Sequence, residues 1–495
     1  MTRGTTLFSP ASLARTLVVL ALAAGSASGD TLLQIYEKAA QNDPEIREAE
    51  ANRLATRQNK PIARGSLLPQ VDGTGDYTKQ NRESESTSND AQSGLFALTT
   101  KTRTDGPSWT LNLRQSLFRW DEWVRLSQAS KQATQADVDY EAAQQSLIIR
   151  ISQAYFNVLA AEDTLASEQA AKDAIGRQLE QAQKRFEVGL IAITDVQEAQ
   201  AAYDQALAAE ILAKRTLANQ QEALRAITDE FPGTLAKPAE EIPLLPPSPE
   251  NEDQWVDTAM QQNRTLLSSQ IDAQIAKDDI SLARTGHLPT VDFVASTGNI
   301  DTEGKQFSSV PPPGSTSPVG FNQDTDRIGV QVSVPIFSGG TTSAQVQQAV
   351  YLHRASRERL ERTARETERQ TRDSYLGVIT DIARVRSLKQ SLESARTALK
   401  ATEAGYEVGT RTTVDVLTAR QFLFNAETNY LRSRYDYLLN GLLLKEAAGT
   451  LAVEDLAQID ALLTDTRPGS QLSQPSADQG VNQGQQAPQG APVGQ

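Results

Sequence analysis

The sequence predicts a mixed α+β membrane protein, in which a β-barrel shared between copies is prolonged by a tube of long helices. Three observations predict it. The chain repeats itself at an offset of 220 residues, it carries four amphipathic strand segments, and each half holds a proline-free helical stretch of more than 60 residues. The repeat is clearest in "RFEVGLIAITDVQEAQAAYDQA" (185–206) and "GYEVGTRTTVDVLTARQFLFNA" (405–426), which share Glu-Val-Gly and, six residues on, Asp-Val. Pro69 and Pro289, and Tyr155 and Tyr375, keep the same offset.

Composition removes several functions. The 495 residues include no cysteine, so disulfide, thiolate and Cys-based zinc chemistry are excluded. Only His287 and His353 offer imidazole, and they lie far apart in sequence. A formal charge of −14 argues against nucleic acid as a partner, because phosphates require clustered Lys and Arg. No nucleophile–base–acid set or phosphate loop stands out, so no enzyme and no cofactor are expected.

Taken in order, residues 1–29 read as a signal peptide: Arg3 and Arg15 precede the apolar run Leu17–Ala24, and Ala27-Ser28-Gly29 offers small residues for cleavage. The first repeat, 30–230, runs helix, strand hairpin, long helix, return helix. Between Asp121 and Glu187 there is no proline, and Leu147, Ile151, Ala154, Val158, Ala161 and Leu165 recur at spacings of 4 and 3. Such a helix is about 100 Å long at 1.5 Å per residue. A Pro-rich linker, 231–252, leads to the second repeat, 253–449, then to a short segment, 450–465. Residues 466–495 are a Gln/Gly/Pro/Ser tail too poor in apolar residues to fold.

The strands alternate cleanly. Trp109, Leu111 and Leu113 oppose Thr110, Asn112 and Arg114, while Ile328, Val330, Val332, Val334 and Ile336 oppose Arg327, Gly329, Gln331 and Ser333. About 9–11 such residues suffice for a tilted membrane strand. The polar segments 82–106 and 302–325 read as external loops. A soluble antiparallel sheet with one wet face has the same alternation. Four strands cannot close a barrel, however, and open edges cannot face lipid, so membrane strands here require several chains.

Each quoted stretch reads as helix–turn–helix. Gly189 and Gly409 suit the left-handed residue that ends a helix. Thr194 and Gln197 have capping-box spacing for the return helix. Asp195 and Asp415 fall in first turns, where the helix dipole favours carboxylates.

The "LLPQ" and "HLPT" strand entries, "AYFNVLAAEDTL", "RFEVGLIAITDV" and "AGYEVGTRTTVDVL" together resemble the TolC family of trimeric outer-membrane efflux and secretion ducts, over residues 30 to about 460. The resemblance implies a homotrimer in outer-membrane lipid, with a twelve-stranded barrel, four strands per chain, and a long periplasmic helical barrel. Residues 231–252 and 450–465 correspond to an equatorial belt. Implied partners are a periplasmic adaptor and an inner-membrane efflux pump or ABC secretion ATPase. The resemblance places a gate latch at Thr194, Asp195, Tyr406 and Arg411: Arg411 reaches Thr194 within a chain and Asp195 of the neighbour, and Tyr406 bonds Asp195. Gln178 and Glu403 correspond to a further contact between chains. Val188, Gly189, Leu190 and Val408, Gly409, Thr410 correspond to adaptor-docking turns.

One departure stands out. The family carries a second aspartate one turn beyond the position of Asp415, whereas this chain has Thr418. The constriction is therefore expected to carry one carboxylate ring, from Asp415, lined next by the Thr418 hydroxyl. Asp415 is the single position expected to meet a metal, and then only as a blocking cation. A secreted trimeric coiled-coil scaffold or adhesin is the competing reading, and the repeated strand pairs argue against it.

Overall fold

The computed structural model describes residues 30–90, 94–239, 241–308 and 315–464. The expected signal peptide (1–29) and tail (466–495) lie outside the described residues. From the amino terminus, α1 (Leu32–Asn42), α2 (Pro44–Arg57) and α3 (Asn59–Ser66) lead into strands β1 (Gln70–Asp90) and β2 (Gly94–Phe118). The long helix α4 (Trp120–Glu187) and its return α5 (Ile193–Thr228) complete the first repeat. After β3 (Lys237–Pro238), the second repeat has α6 (Glu252–Gln262), α7 (Arg264–Thr285), β4 (Thr290–Ser308), β5 (Ser315–Ser333), α8 (Thr341–Glu407) and α9 (Thr413–Ala447). The chain then forms α10 (Val453–Asp460) and β6 (Leu463–Thr464).

The single leading helix expected in each half is broken into shorter ones. Asp43 ends α1 and caps α2, its carboxylate accepting from the Ile46 N–H, with Pro44 at the first helical position. Asn263, 220 residues later, ends α6 and caps α7 through the Leu266 N–H. A side chain that competes for backbone N–H groups favours a new start over a continued helix.

Helices α4 and α8 contain 68 and 67 residues, or about 100 Å each. Of the seam expected on α4, Leu147, Ile151, Ala154, Val158 and Ala161 are buried. Helices α4 and α9 pack together and join the two hairpins, α4–α5 and α8–α9, while α7 fills the corresponding place against α4 and α8 nearer the strands.

The largest core lies partway along α4. Leu147, Ile151, Tyr155, Val158 and Leu159 meet Leu32 and Ile35 of α1, Leu438 and Leu442 of α9, and Leu456 and Ile459 of α10. Polar groups tie the linker and the final segment to this core. The buried Tyr155 hydroxyl donates to the Ala236 carbonyl at 2.6 Å, and burial pushes its phenol well above the usual range. Asp460 accepts from the Leu32 and Leu33 N–H groups. Lys237 pairs with Asp163 at 2.7 Å, and the Tyr435 hydroxyl donates to the other oxygen of that carboxylate at 2.6 Å. Strands β3 and β6 pair antiparallel.

The four long strands form one antiparallel sheet, ordered β1-β2-β4-β5. They are longer than expected, at 21, 25, 19 and 19 residues. The segments read as external loops are for the most part ladder: β1 and β2 pair from Gln70↔Arg114 out to Asp90↔Gly94, and β4 and β5 from Thr290↔Ser333 out to Ser308↔Ser315. A polar composition does not end a strand whose N–H and C=O groups are paired across the hairpin, and threonines such as Thr100, Thr102 and Thr104 favour extended backbone.

Register sorts the side chains onto two faces. The rung Val71↔Leu113↔Ala295↔Ile328 is apolar on all four strands. Toward the hairpin tips the apolar band continues on β1 and β2 through Tyr77, Leu111 and Trp109, whereas β5 already presents Asp326 and Asp324. Toward the helices it continues on β4 and β5 through Phe293, Val330 and Val332. The band thus crosses the rungs obliquely. A band that lies level in a bilayer and oblique to the rungs belongs to tilted strands, as barrel closure requires. Ile328, Val330 and Val332 are each at least 60% exposed, and among the described residues neither β1 nor β5 has a second strand partner.

Ion pairs reinforce the helical hairpins. Glu210 of α5 is buried against α4 and receives Lys214 at 2.8 Å and Lys172 at 3.0 Å. Hydrogen bonds from Lys214 and Lys172 lower its carboxyl to about 2. A depressed folded-state value stabilises the fold above the unfolded carboxylate pKa, and the contribution is lost as pH falls from about 5 toward 2. Glu210→Gln should lower the melting temperature at neutral pH and flatten its dependence on pH between 5 and 2, as followed by circular dichroism. An unchanged acid limb would contradict this role.

Candidate tip gate

The two quoted turns join α4 to α5 and α8 to α9. They close the far ends of both helical hairpins and share one hydrogen-bond pattern. In the first, the Gly189 N–H donates to the Phe186 carbonyl and the Leu190 N–H to the Arg185 carbonyl. In the second, the Gly409 N–H donates to Tyr406 and the Thr410 N–H to Gly405. Gly189 and Gly409 have φ of 76° and 78°. A side chain in that left-handed region is strained, so glycine ends both helices as expected. At the apices Val188, Leu190 and Val408 are at least 70% exposed, and Thr410 is exposed beside them.

The return helices start differently from the expectation. Helix α5 begins at Ile193 with Ala192 as its cap residue and no side-chain cap. Thr194 lies inside the first turn, so the Thr194–Gln197 pair forms no capping box. One residue decides this: Ala192 occupies the extended position and has no oxygen to offer. In the second repeat the corresponding residue is Thr412, which does cap. Its hydroxyl oxygen accepts from the Asp415 N–H, and Oδ2 of Asp415 accepts from the Thr412 N–H at 2.9 Å. These bonds from Thr412, aided by Arg411, hold the Asp415 carboxyl below its ordinary value. The T-x-x-D spacing of Thr412 and Asp415 could have revealed this box in the sequence.

The expected latch residues fall into separate groups within one chain. Tyr406 is half-buried, its hydroxyl accepting from Thr413 at 3.4 Å, and the Arg185 guanidinium lies 4.9 Å from its ring centroid. Arg411 packs its stem over Gly405, where a Cβ would lie 2.8 Å from Arg411 Cγ. Among the described residues Arg411 makes no side-chain hydrogen bond to Thr194, and Asp195 has no ion-pair partner in its own chain. Glu403 pairs with Arg420 of α9 at 2.8 Å. Gln178 is buried on α4, and its Nε2 has no hydrogen-bond partner among the described residues. Thr418 is exposed one turn beyond Asp415. Sequence reasoning missed Arg185, Gly405, Thr412, Thr413 and Arg420. No metal-binding group of His, Asp and Glu occurs among the described residues.

An open-edged sheet with a membrane band, continued by helical hairpins of about 100 Å, defines a channel-forming outer-membrane protein. The chain belongs to the outer membrane efflux protein family, whose model matches residues 35–229 and 255–450. It is 37% identical over 434 residues to the outer membrane protein TolC of Vibrio cholerae, covering 87% of this chain and 93% of that one. It is 31% identical over 438 residues to the alkaline protease secretion protein AprF of Pseudomonas aeruginosa, covering 87% and 86%. The crystal structure of the Campylobacter jejuni CmeC outer membrane channel matches with a TM-score of 0.67 at 18% identity, over 88% of this chain and 89% of that one. The fold is therefore a shared barrel with four strands per chain, continued by a helical barrel that extends from the outer membrane into the periplasm. The chain is an outer-membrane exit duct.

The two repeats make a paired prediction about the tip. Thr412→Ala should cost about 1 kcal/mol of local stability, the usual worth of an N-cap. Ala192→Thr should stabilise the start of α5 by a similar amount, because it installs the same spacing opposite Asp195. Amide exchange at residues 193–196 and 413–416 checks both. Exchange must quicken in the first variant and slow in the second.

Proposed function

We propose that the duct is a passive conduit whose periplasmic tip is a gate, closed by the α4–α5 and α8–α9 turns of three copies around one axis. The observation that carries the reading is the pair of homologous turns at the ends of long hairpins rooted in a membrane sheet with two open edges. A tube of this kind can be shut only where its helices converge.

Arg411, which makes no side-chain hydrogen bond to Thr194 in its own chain, is assigned to Asp195 of the neighbouring copy, and Tyr406 to the same carboxylate. Gln178 and Glu403 are assigned to a further contact between copies; Glu403 would then exchange or share its bond to Arg420. Exposed pairs of this type contribute at most about 1 kcal/mol each, which suits a closure that a partner must undo. The apolar apices Val188, Leu190 and Val408, with Gly189, Gly409 and Thr410, are assigned to docking a periplasmic adaptor. Behind the adaptor stands an inner-membrane efflux pump or a secretion ATPase. The similarity to AprF, a protease secretion protein, supports the second of these. Residues 231–252 and 450–465, joined through Tyr155, Asp460 and the β3–β6 pair, are assigned to an equatorial belt.

Asp415 is assigned to a single ring of three carboxylates at the constriction. Its Oδ2 is occupied by the cap, so each carboxylate turns one free oxygen to the bore. Thr418 adds a neutral hydroxyl one turn beyond. Hard cations prefer several charged oxygens, so block is weaker than in a duct with two carboxylate rings.

Deleting the gene in its host tests the conduit. Greater drug sensitivity or lost protein secretion is expected, and a strain unchanged in both would refute it. Bilayer recordings test the tip. Arg411→Ser combined with Tyr406→Phe should raise single-channel conductance, and Asp415→Asn should nearly abolish block by multivalent cations added from the periplasmic side. An unchanged blocking concentration would remove Asp415 from the bore.

A further inference from the structure

The two turns are homologous, yet they differ at seven of the twelve positions from 185 to 196. Glu187, Val188, Gly189, Asp195 and Val196 have identical counterparts 220 residues later. Arg185, Phe186, Ile191 and Ala192 are instead matched by Gly405, Tyr406, Arg411 and Thr412. Three of these four differences meet in one place. Arg185 stands over the Tyr406 ring, and Gly405 makes room for the Arg411 stem beside it. In the first repeat the residue matching Arg411 is Ile191, which packs against the apolar cluster of Leu179, Ala182, Val196 and Ala199.

The contact therefore runs one way. The first hairpin supplies a cation at the end of α4, and the second supplies a ring at the end of α8. Gly405 has no side chain with which to return a cation to Phe186. Among the described residues Arg185 has no carboxylate within ion-pair distance, so its guanidinium is free to face the ring. Helices α4 and α8 belong to different hairpins, and α9 lies between them for much of their length. The Arg185–Tyr406 contact bridges the two hairpins at their very ends.

We propose that Arg185 is a further latch residue of the tip, holding the second hairpin against the first within each chain through the face of Tyr406. A guanidinium within about 6 Å of an aromatic centroid is attracted by the ring's negative face. The contact leaves the Tyr406 O–H free to donate, while its oxygen accepts from Thr413. Tyr406 thus joins two closures: its ring holds its own chain's hairpins together, and its hydroxyl is available to the neighbour. This inference rests on the gate reading above and adds to it a residue and a mode of contact.

Single-channel conductance of the isolated full-length protein in planar bilayers, with no adaptor present, tests it. Arg185→Gln and Tyr406→Leu should each raise conductance severalfold. Arg185→Lys, which keeps a cation, should restore most of the closed behaviour. Arg185→Gln combined with Tyr406→Leu should conduct no more than Tyr406→Leu alone, because losing the ring already removes the contact that Arg185 makes. The melting temperature should stay near wild type throughout, which separates a tip contact from general destabilisation. Wild-type conductance in Arg185→Gln would overturn the proposal, as would multiplying effects in the double variant. Wild-type protein that forms no pores would instead refute the duct itself, so the two failures are distinguishable.

Discussion

Every N–H and C=O group that enters hydrocarbon must be paired, and a four-stranded sheet leaves two rows unpaired. The rest of the structure follows from this constraint. Among the described residues strands β1 and β5 have partners on one side only, so the sheet can lie in a membrane only when neighbouring copies complete its edges. The oblique apolar band already carries the tilt that closure needs. Each copy then brings its long helices to the same axis, and among the described residues no helix is long and apolar enough to cross a bilayer.

Length creates a second requirement. Helices of 68 and 67 residues present thin seams, and a rod bundle of this length has little lateral core at any one level. The largest core sits where α1, α10 and the short strands wrap around α4 and α9. Polar anchors cross-link it: Tyr155, Asp163 and Asp460 each fix backbone or side-chain groups from distant parts of the chain. This region acts as a clasp from which the hairpins extend.

Duplication explains how one chain carries two similar turns at the ends of its long hairpins. Both retain the glycine that ends the long helix and the aspartate three residues into the next one. The differences are chemical. The first turn carries a cation on α4 and an isoleucine in the apolar seam; the second carries a tyrosine, an arginine and a capped helix start. The Arg185–Tyr406 contact draws one residue from each turn.

The sequence by itself determined the kinds of elements and their order. The 220-residue offset, the period-2 strands, the proline-free rods and the paired glycines are local patterns, and local patterns encode local structure. It also set the face of each strand, because parity survives any change of length. Only the tertiary structure decided how far the strands run, since a ladder is sustained by its partner and a polar composition does not stop it. The Thr412 cap, by contrast, was legible in its T-x-x-D spacing, and Thr194 does not cap because Ala192 holds the extended position before that helix. The meeting of Arg185 with Tyr406, 221 positions apart, depends on how α4 and α9 pack over their whole length. No local periodicity contains that distance.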